Sequence, residues 1–105
     1  MNTYNRKEIR WFDGTSWSPG TEISVRADNK TPVFSFLTNV LTGQIKKIRT
    51  LHLCFYFAEF IPVSEDMLTE ALMDGDCPSL TGQEVDPDGW DKEGFPSILL
   101  AAGLI

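Results

Sequence analysis

The chain is short of the residues that carry most enzyme chemistry. It has one His and two Cys among its 105 residues. Two cysteines, Cys54 and Cys77, do not make a disulfide framework and are expected as free thiols in a reducing compartment. A structural zinc site wants four ligands, and His52, Cys54 and Cys77 are the only soft ones. Long apolar runs are also missing. The longest, near Phe55 and Ile98, reach about six residues, whereas a membrane span needs about 20. No apolar stretch follows Met1 to Glu8 that could act as a secretory leader, so a cytoplasmic protein with no membrane association is expected. There is no Gly-x-Ser-x-Gly, no phosphate-cradling glycine loop and no dinucleotide fingerprint. The expectation is a protein that is not an enzyme and needs no cofactor.

Basic residues are scarce in one half only. Met1 to Ala58 holds eight Lys or Arg and four Asp or Glu, a balance of +4, while Glu59 to Ile105 holds eleven acids and only Lys92 as a base, a balance of −10. Such asymmetry marks an interaction surface or a solubilising face. Small basic clusters, Arg6-Lys7-Arg10 and Lys46-Lys47-Arg49, lie near aromatic residues as a nucleic-acid surface requires. A net charge of −6 opposes direct nucleic-acid binding, because phosphate contacts dominate that affinity. On that balance Lys46, Lys47 and Arg49 read as a solvated strand end.

What is present suits a single globular domain, residues 1–105. The apolar fraction is 42% and the charged fraction 23%, with seven Phe, three Trp and two Tyr to fill a core. Glu8–Phe12 and Thr21–Arg26 read as strands of a hairpin, separated by Asp13-Gly14, Pro19-Gly20 and a wide loop that carries Trp17. Thr31-Pro32 looks like a helix start. Apolar Val33, Phe36, Leu37, Val40 and Leu41 against polar Ser35, Thr38, Asn39 and Thr42 predict a helix to Thr42, ended by Gly43. A strand is the competing reading there, given the β-branched content. Ile45 to Ile61 predicts a long central strand with Leu51, Leu53, Phe55 and Phe57 on one face. His52 and Cys54 then share the other face. Ser64 caps a helix over Glu65–Asp74. Gly75 to Gly94 reads as a long acidic loop anchored by Trp90, and the apolar tail from Phe95 to Ile105 should pack on the same chain.

The fold class expected is therefore α+β: a small antiparallel sheet of three to four strands with two helices packed on one face and a long acidic C-terminal loop. The predicted core is Trp11, Ile23, Val25, Phe36, Leu37, Leu51, Leu53, Phe55, Phe57, Leu68 and Leu72.

The acidic loop holds the best site candidates. Glu84, Asp86, Asp88 and Gly89 mimic the opening of a calcium loop, but Phe95 stands where the closing Glu belongs. Asp86-Pro87-Asp88-Gly89 also has the residue order of a type I turn, which is the better reading. Asp86, Asp88, Trp90, Asp91 and Glu93 are assigned instead to an interaction surface, and no metal ligand is assigned. The leading expectation is a small acidic non-catalytic protein that binds a protein partner with a basic surface, as an inhibitor or accessory factor. It would do so by covering a site or by presenting carboxylates where phosphates would lie. In size, acidity and lack of a catalytic motif the chain resembles small accessory proteins of phages and other mobile elements. Two alternatives stand beside it: a structural module that pairs with itself as a homodimer, and an enzyme or metal protein using His52, Cys54 and the loop acids.

Overall fold

The computed structural model describes residues Met1–Ile105. Its centre is a four-stranded antiparallel sheet of β1 (Asn2–Tyr4), β4 (Glu22–Ala27), β5 (Phe34–Asn39) and β6 (Ile45–Arg49), in the order β1-β4-β5-β6. Two short ribbons accompany it: β2 (Ile9–Arg10) with β3 (Ser16–Trp17), and β7 (Cys77–Pro78) with β8 (Glu84–Val85). The helical elements are a 3-10 helix at Thr50–Phe55, α1 (Glu65–Asp74) and α2 (Ile98–Ala102). The class is α+β with an antiparallel sheet of four strands, and no helix is long and apolar enough to cross a membrane.

Alternation on the sheet follows strand periodicity. Ile23, Val25 and Ala27 of β4 and Ser35, Leu37 and Asn39 of β5 point inward and are buried. They join Ile9, Trp17, Leu53, Phe57, Phe60, Leu80, Phe95, Ile98 and Leu99 in one contiguous core. The main contacts of α1 are with α2 and β7, and those of α2 include the 3-10 helix and β7. The sheet meets this C-terminal group through the 3-10 helix, which follows β6 directly.

Segment 32–42 is not the predicted helix: its centre, Phe34–Asn39, is strand β5, flanked by turns. Two of the four polar residues that look like a solvated helix face, Ser35 and Asn39, are in fact buried and satisfied. Ser35 shares a 2.6 Å hydrogen bond with the Thr50 hydroxyl, and the Asn39 carboxamide oxygen accepts from the backbone N–H groups of Leu41 and Thr42 at 3.0 and 3.2 Å. Strands β4 and β6 saturate both edges of β5, which no helix could allow. Gly43, at φ +78°, closes the β5–β6 turn instead of capping a helix.

The long strand expected over Ile45–Ile61 stops at Arg49. Thr50 is fully buried. Its N–H donates to Val33 O at 2.8 Å and its hydroxyl to Pro32 O at 2.7 Å, which turns the chain into the 3-10 helix. Two-residue alternation is lost there. Leu53 and Phe57 are buried, whereas Phe55 is 77% exposed. His52 and Cys54 therefore do not share a strand face.

Three other expectations change. Glu8–Phe12 supplies β2, but its partner is Ser16–Trp17 across the Asp13-Gly14 turn, and Thr21–Arg26 pairs with β1 and β5. Trp17 is buried, its indole N–H donating to Gln44 Oε1 at 2.7 Å. Of the predicted core, Leu72 is 54% exposed, Phe36 faces outward from β5, and Trp11, Leu51 and Leu68 are half-buried.

Helix α1 forms where predicted, with Ser64 Oγ accepting from Met67 N–H at 3.2 Å and Gly75 in a left-handed cap at φ +78°. The apolar tail packs in cis as α2, capped by Ser97, with Ile98, Leu99 and Ala101 buried.

The 3-10 helix makes a sharp test. Leu53→Ala should lower unfolding free energy by about 3 kcal/mol, through lost burial and a residual cavity. Phe55→Ala, two residues on, should change it by less than about 0.5 kcal/mol. Urea unfolding of both variants checks this, and comparable losses would mean that Ile45–Ile61 is a continuous strand after all.

Candidate interaction site

Segment Gly75–Gly94 is not an irregular loop. Cys77 pairs with Val85 and Pro78 with Glu84 in an antiparallel ribbon. The Asp86-Pro87-Asp88-Gly89 turn closes with Gly89 N–H on Asp86 O at 2.8 Å, the i to i+3 bond of a β-turn. Bridges Ser79–Ser97 and Trp90–Pro96 then tie the ribbon to the start of α2.

The five candidate residues separate into three roles. Asp86, Asp88 and Glu93 are exposed. Trp90 is half-buried and packs on the core, as an anchor would. Asp91 is buried and fully engaged. One carboxylate oxygen accepts from the hydroxyls of Ser79 and Thr81, both at 2.6 Å, and the other from the backbone N–H groups of Glu93 and Phe95, both at 2.9 Å. A carboxylate with four donors has no lone pair left to offer a partner, so Asp91 is a hub that holds the 91–95 turn against the ribbon.

Two acids of the same segment, outside the five assigned to the interaction surface, complete it. Asp76 and Glu84 line a depression of about 430 Å³ together with Val85, Asp86, Gly89 and Trp90. Continuing the ribbon register one step past Cys77–Val85 sets Asp76 opposite Asp86, and Glu84 follows beside them. In sequence these acids are eight and ten residues from Asp76, and only strand pairing brings them together. No signal in the sequence marked Cys77-Pro78 as a strand, because proline is rare inside sheets.

The three carboxylates act on the thiol beneath them. Burial raises the Cys77 pKa above its ordinary 9.0, and Glu84, Asp76 and Asp86 push it further up, against a Ser97 hydrogen bond that lowers it. Both ion pairs of the molecule, Arg10–Glu8 and Lys46–Asp13, lie in the N-terminal half. The carboxylates from Glu59 onward thus have no ion-pair partner within the chain.

His52 is exposed with its ring 5.4 Å from that of Phe55, and Cys54 is half-buried, its thiol directed at Leu51 O. No group of three or more His, Cys, Asp or Glu side chains stands close enough to hold a metal ion. No protein-family model matches the chain, and no curated protein or solved structure shows significant similarity to it.

Two measurements check these roles. Asp91→Asn should cost about 2 kcal/mol of unfolding free energy, since it removes charge-assisted bonds to four buried or half-buried donors, while Asp88→Asn should stay within about 0.5 kcal/mol of wild type. The Cys77 thiol holds its proton more tightly folded than unfolded. Its contribution to stability is therefore complete below pH about 9 and declines as pH rises toward the folded pKa. The stability difference between wild type and Cys77→Ala should shrink over that range, and iodoacetamide at pH 8 should label Cys54 before Cys77.

Proposed function

We propose that the protein acts without catalysis, by binding another protein that presents a basic surface, as an inhibitor or accessory factor. The contact is the acidic ribbon, with Asp76, Glu84 and Asp86 around the edge of Trp90. Asp88 and Glu93 belong to the surrounding rim.

The observation that supports this reading is the uncompensated depression itself. Three acidic residues line one shallow depression together with Trp90, and neither ion pair of the molecule involves them. A Lys or Arg side chain of a partner fits that chemistry. It finds carboxylates for its charge and the Trp90 ring for its apolar stem. The surface stands on a hydrogen-bonded ribbon held by Asp91, so little ordering cost is left for binding. The remaining negative charge of the C-terminal half adds long-range attraction for a basic partner and speeds encounter.

The test is affinity capture on immobilised protein from a lysate of the source cell, washed at rising salt. A basic partner should be retained at low salt and released at high salt. The variant D76N/E84Q/D86N should bind it about tenfold more weakly, mostly through slower association. Asp91 is left native in that variant so that the ribbon stays folded. Equal capture by wild type and variant would sink the reading, as would no partner with either.

A further inference from the structure

The outer face of the four-stranded sheet carries chemistry opposite to the acidic ribbon. None of its outward residues is buried, and neither α1 nor α2 has β4, β5 or β6 among its main contacts. The register sets Arg26, Phe36 and Lys47 side by side across β4, β5 and β6, with Phe34 and Arg49 paired in the adjoining outward row. The Arg26 guanidinium lies 4.8 Å from the Phe36 ring centre, and Lys47 Nζ and the Arg49 guanidinium lie 4.4 and 5.9 Å from that of Phe34. All three cations are exposed, and neither ion pair of the molecule involves them. The acids at the two ends of β4 are otherwise engaged: Glu22 accepts from the Asn2 amide, and Asp28 from the backbone N–H of Lys30. Past the free edge of β6, Lys47 and Arg49 also border a cavity of about 480 Å³ that contains Arg10, Trp11 and Tyr56.

We propose that this face binds single-stranded nucleic acid, with bases stacked on Phe34 and Phe36 and phosphates held by Arg26, Lys47 and Arg49. Charge complementarity selects a polyanion, and the rings select which kind. Two half-exposed phenyl rings, about 7 Å apart along one strand, offer flat π-surfaces that a peptide carboxylate cannot use. Unpaired bases can use them, and every base has such a face. In a duplex those faces are already stacked on neighbours, so the single strand is the form that fits. A base that takes a cation's place on either ring keeps that cation alongside, where its phosphate lies.

The net charge of −6 does not forbid this. The excess acid belongs to Glu59–Ile105, and at physiological salt a charge is felt over about 8 Å. That reach is short against a molecule whose long axis is 42 Å. The proposal is independent of the acidic ribbon, since the two surfaces share no residue.

The experiment is fluorescence anisotropy with a fluorescein-labelled oligodeoxythymidine of about twelve nucleotides, a span within the usual site sizes. The same oligomer paired with its complement and a polyglutamate peptide serve as competitors. Wild type should bind the single strand with Kd of about 10 µM, mid-range for sequence-tolerant binding. The logarithm of affinity should fall against log salt with a slope of about −2, as three phosphate contacts require. R26Q/K47Q/R49Q, changed only at exposed positions, should lose at least about tenfold in affinity and most of the slope. F34L/F36L should lose about tenfold with the slope retained. Duplex and polyglutamate should compete at least about tenfold more weakly. No binding by wild type, unchanged binding by R26Q/K47Q/R49Q, or equal competition by duplex would overturn the proposal. Stronger competition by polyglutamate would overturn it in favour of an acidic protein partner. A dimer in sedimentation velocity that R26Q/K47Q/R49Q dissolves, with no oligomer bound, would overturn it in favour of self-pairing. If F34L/F36L lacks the wild-type circular dichroism spectrum, the charge variant decides alone.

Discussion

Thr50 ties the two halves of the molecule together. Its backbone N–H and its hydroxyl reach Val33 O and Pro32 O at the start of β5, and its oxygen meets Ser35 from the same strand. Thr50 and Ser35 themselves are fully buried. Buried polar groups are costly unless every partner is in place, so this cluster permits little other than the observed geometry. It ends β6 at Arg49, bends the chain into the 3-10 helix, and sends Leu53 and then Phe57 into the core. Were the strand to run on to Ile61, Phe55 would be buried with them and the C-terminal half would lose its attachment to the sheet.

Charge is separated across the sheet as well. The register of β6 on β5 sends Lys46 inward to Asp13 and Trp11, and sends Lys47 and Arg49 outward over the aromatic residues of β5. The Asp13 carboxyl is held well below its usual pKa by the Lys46 hydrogen bond and by two from Thr15. Lys46 and Asp13 are thus spent on each other, while the outward cations are left without carboxylates. At the other end Asp91 closes the ribbon that gathers Asp76, Glu84 and Asp86. In each place one buried or paired polar residue does the positioning, and the neighbouring exposed charges are free to meet something else. The chain thus presents two exposed surfaces of opposite sign, the acidic ribbon and the basic outer face of the sheet.

Much of this was legible wherever the signal is local. The Ser64 cap, the acidic first turn and the terminating Gly75 mark α1, and the Asp13-Gly14 and Asp86–Gly89 turns lie where their residue order puts them. The surplus of acid after Ala58 needs only counting. Reading failed where long-range hydrogen bonds overrule local pattern. Ser35 and Asn39, four apart, imitate a polar helix face until Thr50 and the Leu41–Thr42 backbone supply their partners. The apolar alternation from Leu51 to Phe57 imitates a strand until Thr50 turns the chain.

The sequence by itself determined the α+β class, one helix with its caps, two turns and the imbalance of charge between the halves, because each rests on neighbouring residues or on composition. Only the tertiary structure decided which charges stand together. Asp91 became a structural hub because Ser79 and Thr81 lie within reach of it, Asp76 joined Asp86 because β7 pairs with β8, and Arg26 joined Phe36 and Lys47 because three strands share one register. Strand pairing makes neighbours of residues far apart along the chain, and a pattern confined to one segment carries no record of its partner.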